Sequence, residues 1–242
     1  MGAVGRQRAA VAAGIRSTLR EPTTVVLLLA LPPLVVAVFD VALATYGAAP
    51  GIEVGATEAE RGGALFSTAF LAGLLGVFQI VGAAEADGRL VVCGYRPAEV
   101  VGARLVAIGL ASLLVTGITY ATFAWMSPEA IAAPGLAILA LFLAATTYAL
   151  VGVIVGTVIG RELEGSLLLV FVADFDSFTS LGVIPTESEL LEYTPLERPA
   201  RLLADAVTRG TIQTGDLLGA IAYLVVLLGI AVAVVEFRGD LV

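Results

Sequence analysis

Apolar runs of bilayer length dominate this sequence. They fall near Thr23–Tyr46, Gly63–Ala84, Arg104–Trp125, Ala130–Gly160, Ser166–Val183 and Leu217–Phe237. A helix needs about 20 mostly apolar residues to cross a hydrocarbon core about 30 Å thick. A soluble fold would have to bury all of these runs, and a chain of 242 residues has too little interior for that. Composition agrees, with 59% hydrophobic residues, only 14% charged and a mean hydropathy of +0.99. Soluble domains carry about 25% charged residues. The expected fold is therefore all-α, a polytopic membrane protein with about six transmembrane helices.

Ahead of the first run, Val11, Ile15 and Leu19 recur at helical spacing, with Val4 one step further back and Arg8, Arg16 and Arg20 on a neighbouring stripe. That pattern predicts an amphipathic helix lying in the membrane interface. Residues 1–22 are assigned to it and residues 23–242 to the transmembrane domain. A signal peptide fits poorly, because the following apolar run is too long and no cleavage pattern leads into a soluble chain. Pro32 and Pro33 should kink the first span, and the fourth is long enough to tilt. With the N-terminus in the cytoplasm, the inside segments hold nine arginines and the outside segments four. The excess of inside positive charge predicts a multi-pass protein of the cell membrane with both termini cytoplasmic.

Missing residue types narrow the function. The chain has no histidine and no lysine. Ser-His and Cys-His nucleophiles, histidine-ligated metals and the phosphate-binding lysine of a P-loop are all excluded. Cys93 stands alone, so there is no internal disulfide and no cysteine metal cluster. No catalytic residue, metal or cofactor is expected, and no basic footprint for nucleic acid is present. A net charge of −8 gives a halophile-like composition. The outside segments are acidic, at Glu53, Glu58 and Glu60 and again at Glu187, Glu189, Glu192 and Glu197. They either solubilise the surface in salt or draw cations to a pore mouth.

Five segments remain that bear on function. The connection at 85–104, from Glu85 to Arg104, is far longer than the 2–8 residues that join neighbouring helices. It mixes apolar and charged residues, with Pro97 placed to begin a second short helix. It predicts a docking element on the cytoplasmic side; the alternative is an interfacial helix with no partner. The link Gly160–Gly165 holds Arg161 and Glu162, and is read first as a solvated connection that a partner can also touch. Gly152, Gly156 and Gly160 repeat every four residues, which suits close helix packing. In the fifth run, Asp174, Asp176, Ser177 and Ser180 interrupt apolar sequence. Carboxylates there should face protein or water, which leaves pathway lining or structural pairing open. Residues 194–210 predict an outer helix, with Thr194 and Glu197 as a capping box, Pro195 at the first helical position and Gly210 as the stop. Leu196, Pro199, Leu203 and Val207 would form its apolar face, with Arg198, Arg201, Asp205 and Arg209 pointing away.

The order of these elements resembles the permease subunits of type-2 ABC exporters. Glu85, Gly88, Leu90, Pro97, Gly102 and Arg104 follow the order of that family's cytoplasmic coupling element, with the stretch from Gly88 to Pro97 compressed. The chain also ends Val-Glu-Phe-Arg-Gly-Asp-Leu-Val, similar to the family's last helix and its charged end. The resemblance implies a subunit that forms the substrate path and binds a separate ABC ATPase, which alone holds ATP. It implies coupling through Gly88, Arg89, Tyr95, Arg96, Pro97, Glu99, Arg161 and Glu162, and a second permease copy or a paralogue to complete the path. It also implies that the helix bearing Asp174, Asp176, Ser177 and Ser180 borders the pathway, and that the 194–210 helix is an extracellular or re-entrant lid; the alternative is an ordinary surface amphipathic helix. A haem-exporter-like permease of cytochrome c biogenesis is the nearest alternative. A self-contained proton- or cation-coupled transporter is another, although no internal repeat supports it.

Overall fold

The computed structural model describes residues 22–46, 56–94, 97–127, 131–181 and 193–239. These residues form eight α-helices and no strand: α1 (Pro22–Tyr46), α2 (Ala56–Val81), α3 (Ala84–Val92), α4 (Pro97–Met126), α5 (Pro134–Ile159), α6 (Glu162–Ser180), α7 (Glu197–Thr208) and α8 (Thr214–Gly239). Four stretches are long and apolar enough to cross a membrane: Glu58–Val81, Glu99–Met126, Pro134–Ile159 and Thr214–Val235. The chain is thus a helical membrane protein. In α1 the qualifying apolar stretch, Val26–Ala42, is shorter. Helix α6 carries Glu162, Glu164, Asp174 and Asp176 within its 19 residues, too much charge for an apolar span. The expected amphipathic helix at 1–22 falls almost wholly outside the described residues.

Local chemistry explains several boundaries. Pro134 opens α5, where a missing N–H costs nothing, and Gly160 closes it in the left-handed conformation at φ 70°. Pro97 opens α4, which runs unbroken for 30 residues into the span rather than ending as a short helix of its own. Nothing between Pro97 and Arg104 removes a backbone donor, so the helix has no reason to stop. The short helix of this connection is instead α3. Helix α1 continues through both Pro32 and Pro33. The α6 helix begins four residues before the expected Ser166 and ends at Ser180. This places Asp174 and Asp176 in its last two turns rather than at mid-span.

Helices α2 and α5 form the centre. Helix α2 packs on α1, α4, α5, α6 and α7, and α5 packs on α2, α4, α6, α7 and α8. Most of the α2 and α5 spans is buried, whereas α4 and α8 turn most of their surface outward. The central pair meets backbone to backbone. A Cβ on Gly152 would collide with the Gly73 carbonyl oxygen, and one on Gly76 with the Ala149 carbonyl oxygen. One turn on, a Cβ on Gly156 would lie 2.5 Å from Ile80 and 3.1 Å from the Val77 Cα. In lipid, where apolar surface gains little by leaving its solvent, such close approach is a main source of helix association.

The two ends of the bundle are distinct. At one end α2 gives way to α3, and the α5–α6 link lies beside it: a Cβ on Gly82 would sit 3.2 Å from Glu162 Oε1. At the other end the start of α2 meets the end of α4 through a hydrogen bond from Ser127 Oγ to Glu60 Oε2. There Phe39 of α1 stacks on Phe66 of α2 at 5.5 Å and on Phe178 of α6 at 6.1 Å. The helix α7 closes this same end.

Adding one methyl to the central contact should cost stability. Gly152→Ala gains about 1 kcal/mol of helix propensity but overpacks a backbone contact, at a cost of about 1–3 kcal/mol. The expected outcome is a lower unfolding temperature in detergent. Gly117→Ala, where a Cβ meets nothing within 4 Å, should match or slightly exceed the parent in the same measurement.

Candidate functional site

The α7 helix is seated in the bundle rather than laid on it. Leu196, Pro199, Ala200, Leu202, Leu203, Ala206 and Val207 are all buried, against α5, α6, α8 and the start of α2. The expected apolar residues Leu196, Pro199, Leu203 and Val207 are among them. Its remaining face is laced by ion pairs: Arg201 to Glu197 at 2.7 Å, Arg209 to Asp205 at 2.7 Å and Arg198 to Asp216 of α8 at 2.8 Å. Asp205 does not point away as expected; it is buried, and Arg209 reaches back over it. Gly210 follows at φ 68°, as a stop signal should.

The start of α7 is held by another helix. The expected capping box does not form, and no side chain of the segment caps α7. The buried Asp176 carboxylate of α6 takes that role, because Oδ2 accepts a hydrogen bond from the Leu196 N–H at 3.0 Å. The same oxygen accepts the Tyr148 hydroxyl of α5 at 2.6 Å. One carboxylate oxygen therefore joins α5, α6 and α7. Helix propensity and capping patterns read along one segment do not reveal a cap supplied by a residue twenty positions earlier. Tyr148, which the sequence reading did not single out, did carry a signal. It is a hydroxyl amid Leu and Ala, and a buried tyrosine O–H seeks an acceptor.

The other polar residues of α6 divide. Ser177 is fully buried, and its Oγ finds no partner among the described residues. Asp176 Oδ1 and Thr194 Oγ1 are buried there too, with the threonine hydroxyl beside the carboxylate. Ser180 donates to the Ser177 carbonyl at 3.0 Å. Asp174 is half-buried, on the outward side with the exposed Phe171 and Phe175. Asp174 and Asp176 thus sit two residues apart in different surroundings, Asp176 enclosed within the subunit and Asp174 at its edge.

At the opposite end the docking candidates gather. Gly88 and Arg89 are exposed on α3, followed by Val92, at 89% exposure, and the free Cys93. Gly94 turns the chain at φ 92°. Tyr95 and Arg96 lie outside the described residues; Pro97 and Glu99 begin α4. The α5–α6 link contributes Arg161, paired with Glu164 at 2.6 Å, the exposed Glu162 and Leu163 at 81% exposure. The hydrogen bond to Glu164 raises the Arg161 pKa further above its already high ordinary value, so this cation stays charged. Of the three glycines, Gly152 and Gly156 face α2, and Gly160 terminates α5.

No group of three or more histidine, cysteine or carboxylate side chains suited to a metal ion occurs among the described residues. No protein-family model matches the chain, and no curated protein matches it.

The Asp176 joint sets an order of stabilities. Asp176→Ala strands the Tyr148 hydroxyl and the Leu196 N–H together, and should cost about 2–5 kcal/mol. Tyr148→Phe removes one donor and should cost about 1–2 kcal/mol. Thermal unfolding in detergent should rank parent above Tyr148→Phe above Asp176→Ala. Limited proteolysis should find α7 cut faster in the alanine variant. Equal cleavage in all three would mean that α7 does not depend on this carboxylate.

Proposed function

We propose that the chain is the membrane-spanning permease subunit of an ATP-driven ABC exporter, working with a separate ATPase and a second permease copy or paralogue. In this reading α1, α2, α4, α5, α6 and α8 make six crossings of the cell membrane, and both termini are cytoplasmic. The observation that carries the reading is the meeting of two separate segments at one end of the bundle. The α3 turn and the α5–α6 link are about eighty residues apart in sequence, yet Glu162 lies against Gly82. Each segment exposes an apolar side chain near charged ones in sequence: Val92 on the helix with Arg89, and Leu163 between Glu162 and Glu164 next to Arg161. Exposed apolar side chains ringed by charge suit a protein partner.

The rest of the architecture fits that division of labour. The chain holds neither lysine nor histidine, so it lacks the means to hydrolyse ATP itself, and the energy has to enter from a partner. ATP binding by that partner would act as a rigid-body push on the ends of α4, α5 and α6. At the far end α7 closes the bundle, and the half-buried Asp174 at the edge of α6 is the residue placed to meet a pathway completed by the second copy. Asp176 serves the same helix from within by holding α7.

Reporter fusions test the sidedness. Both termini and Arg96 should be cytoplasmic, and Glu58 and Arg201 outside; an external Arg96 would sink the coupling assignment. Co-purification tests the partner. Arg96→Glu combined with Glu99→Arg should weaken ATPase binding roughly 30-fold, the effect of a lost hot spot of about 2 kcal/mol, while the chain stays in the membrane. An unchanged yield of complex would count against this surface. Asp174→Asn should leave the fold and the complex intact but alter transport, or substrate-stimulated ATP hydrolysis.

A further inference from the structure

The contact between α2 and α4 carries an inference independent of any ATPase. Where α2 meets α5 the backbones touch; where it meets α4 the facing residues include hydroxyls. The buried stripe of α4 runs Ile108, Ser112, Val115, Thr119 and Phe123 at helical spacing. On α2, Thr68, Ala72 and Leu75 are buried at the same spacing. The bond between Glu60 and Ser127, joining the start of α2 to the end of α4, sets the register of the two helices. Thr68 lies eight residues inward of Glu60, and Thr119 eight residues inward of Ser127. Both therefore stand at one depth, about 12 Å along the helices from that bond. The same register sets Ala72 beside Val115, and these two do belong to one buried cluster.

Both hydroxyls are enclosed. Thr68 and Thr119 are fully buried, and neither Oγ1 finds a hydrogen-bond partner among the described residues. Helical threonines elsewhere in the chain satisfy themselves: Thr116, Thr122, Thr146 and Thr157 each donate to the carbonyl four residues back. For Thr68 that carbonyl belongs to Ala64, and it already accepts the Ser67 hydroxyl at 3.1 Å. A buried hydroxyl left without a bond is costly. Two of them at one depth on facing helices point to a shared partner. Each hydroxyl offers one donor and two acceptor sites, and a buried water is held by about two to four such polar groups. Ala64 and Ala72, one turn either side of Thr68, are small, which leaves room for a molecule of that size.

We propose that an ordered water molecule binds between α2 and α4, bridging the hydroxyls of Thr68 and Thr119. It ties α4 to the central helix inside the bundle, as the bond between Glu60 and Ser127 ties it at the end.

Pulsed X-ray radiolysis of the purified full chain in nanodiscs tests this. A bound water becomes a hydroxyl radical on the spot and labels side chains that bulk solvent does not reach. Phe123, one turn outward of Thr119, and Leu71, next to Thr68 on α2, are both buried. They should be labelled in the parent, whereas Leu141 and Leu169, equally buried in the other cluster, should not. Thr68→Val combined with Thr119→Val keeps the side-chain shape, and should abolish the label on Phe123 and Leu71 while the exposed Trp125 is labelled as before. Thr68→Ser keeps the hydroxyl and should retain the label. A parent without label at Phe123 and Leu71 overturns the site, and that measurement needs no variant to fold. Label that persists in the double valine variant overturns it too. Thermal unfolding gives a second readout. Each single valine substitution should lower the unfolding temperature, and the second should add little to the first, because one bridge is lost once. Two independent increases would mean that each hydroxyl was merely buried, and would likewise overturn the bridge.

Discussion

Two helix backbones in direct contact hold this bundle together. Helices α2 and α5 meet with no side chain between them where Gly152 faces the Gly73 carbonyl and Gly76 faces the Ala149 carbonyl. Helices α1, α4, α6, α7 and α8 each pack on one or both of that pair. The contact costs rigidity at the glycines, because each lacks the side chain that would favour a helix. It returns a tight central seam in a solvent where burying a leucine gains little. Around the seam, α4 and α8 keep Leu113, Leu114, Leu218, Val225 and Val226 outward, the surface that lipid covers.

Polar groups then decide what happens at the ends. In a hydrocarbon environment an unsatisfied N–H or C=O costs several kcal/mol, so helix ends inside the bundle need partners. The start of α7 finds Asp176. Its last turn finds another helix start, since Ala132 and Ala133 donate to the carbonyls of Val207 and Ala206 at 3.1 and 3.0 Å. The unpaired donors ahead of α5 and the unpaired acceptors ending α7 cancel each other, which is why neither end needs a side-chain cap.

Much of this was legible in the sequence. The long apolar runs, Gly160 at the end of α5 and the four-residue glycine repeat all act locally, through propensity and spacing. The amphipathic face of α7 was legible for the same reason, since Leu196, Leu203 and Val207 keep helical period. What escaped was set by tertiary contact. The α7 cap comes from Asp176 on another helix, and the hydrogen bond between Glu60 and Ser127 joins residues far apart in sequence. Asp174 and Asp176 looked equivalent in sequence; a rotation of 200° around α6 separates an enclosed carboxylate from an edge one.

The backbone bonds between Ala132, Ala133 and the end of α7 make α5 more than a core helix. Its 26 residues span about 39 Å, from the Arg161 link at one end to the foot of α7 at the other. Tyr148 adds a second attachment part-way along, through Asp176. The helix is a connecting rod with both ends pinned. A tilt imposed at the Gly160 end would lift or lower α7 without any residue in between changing its conformation.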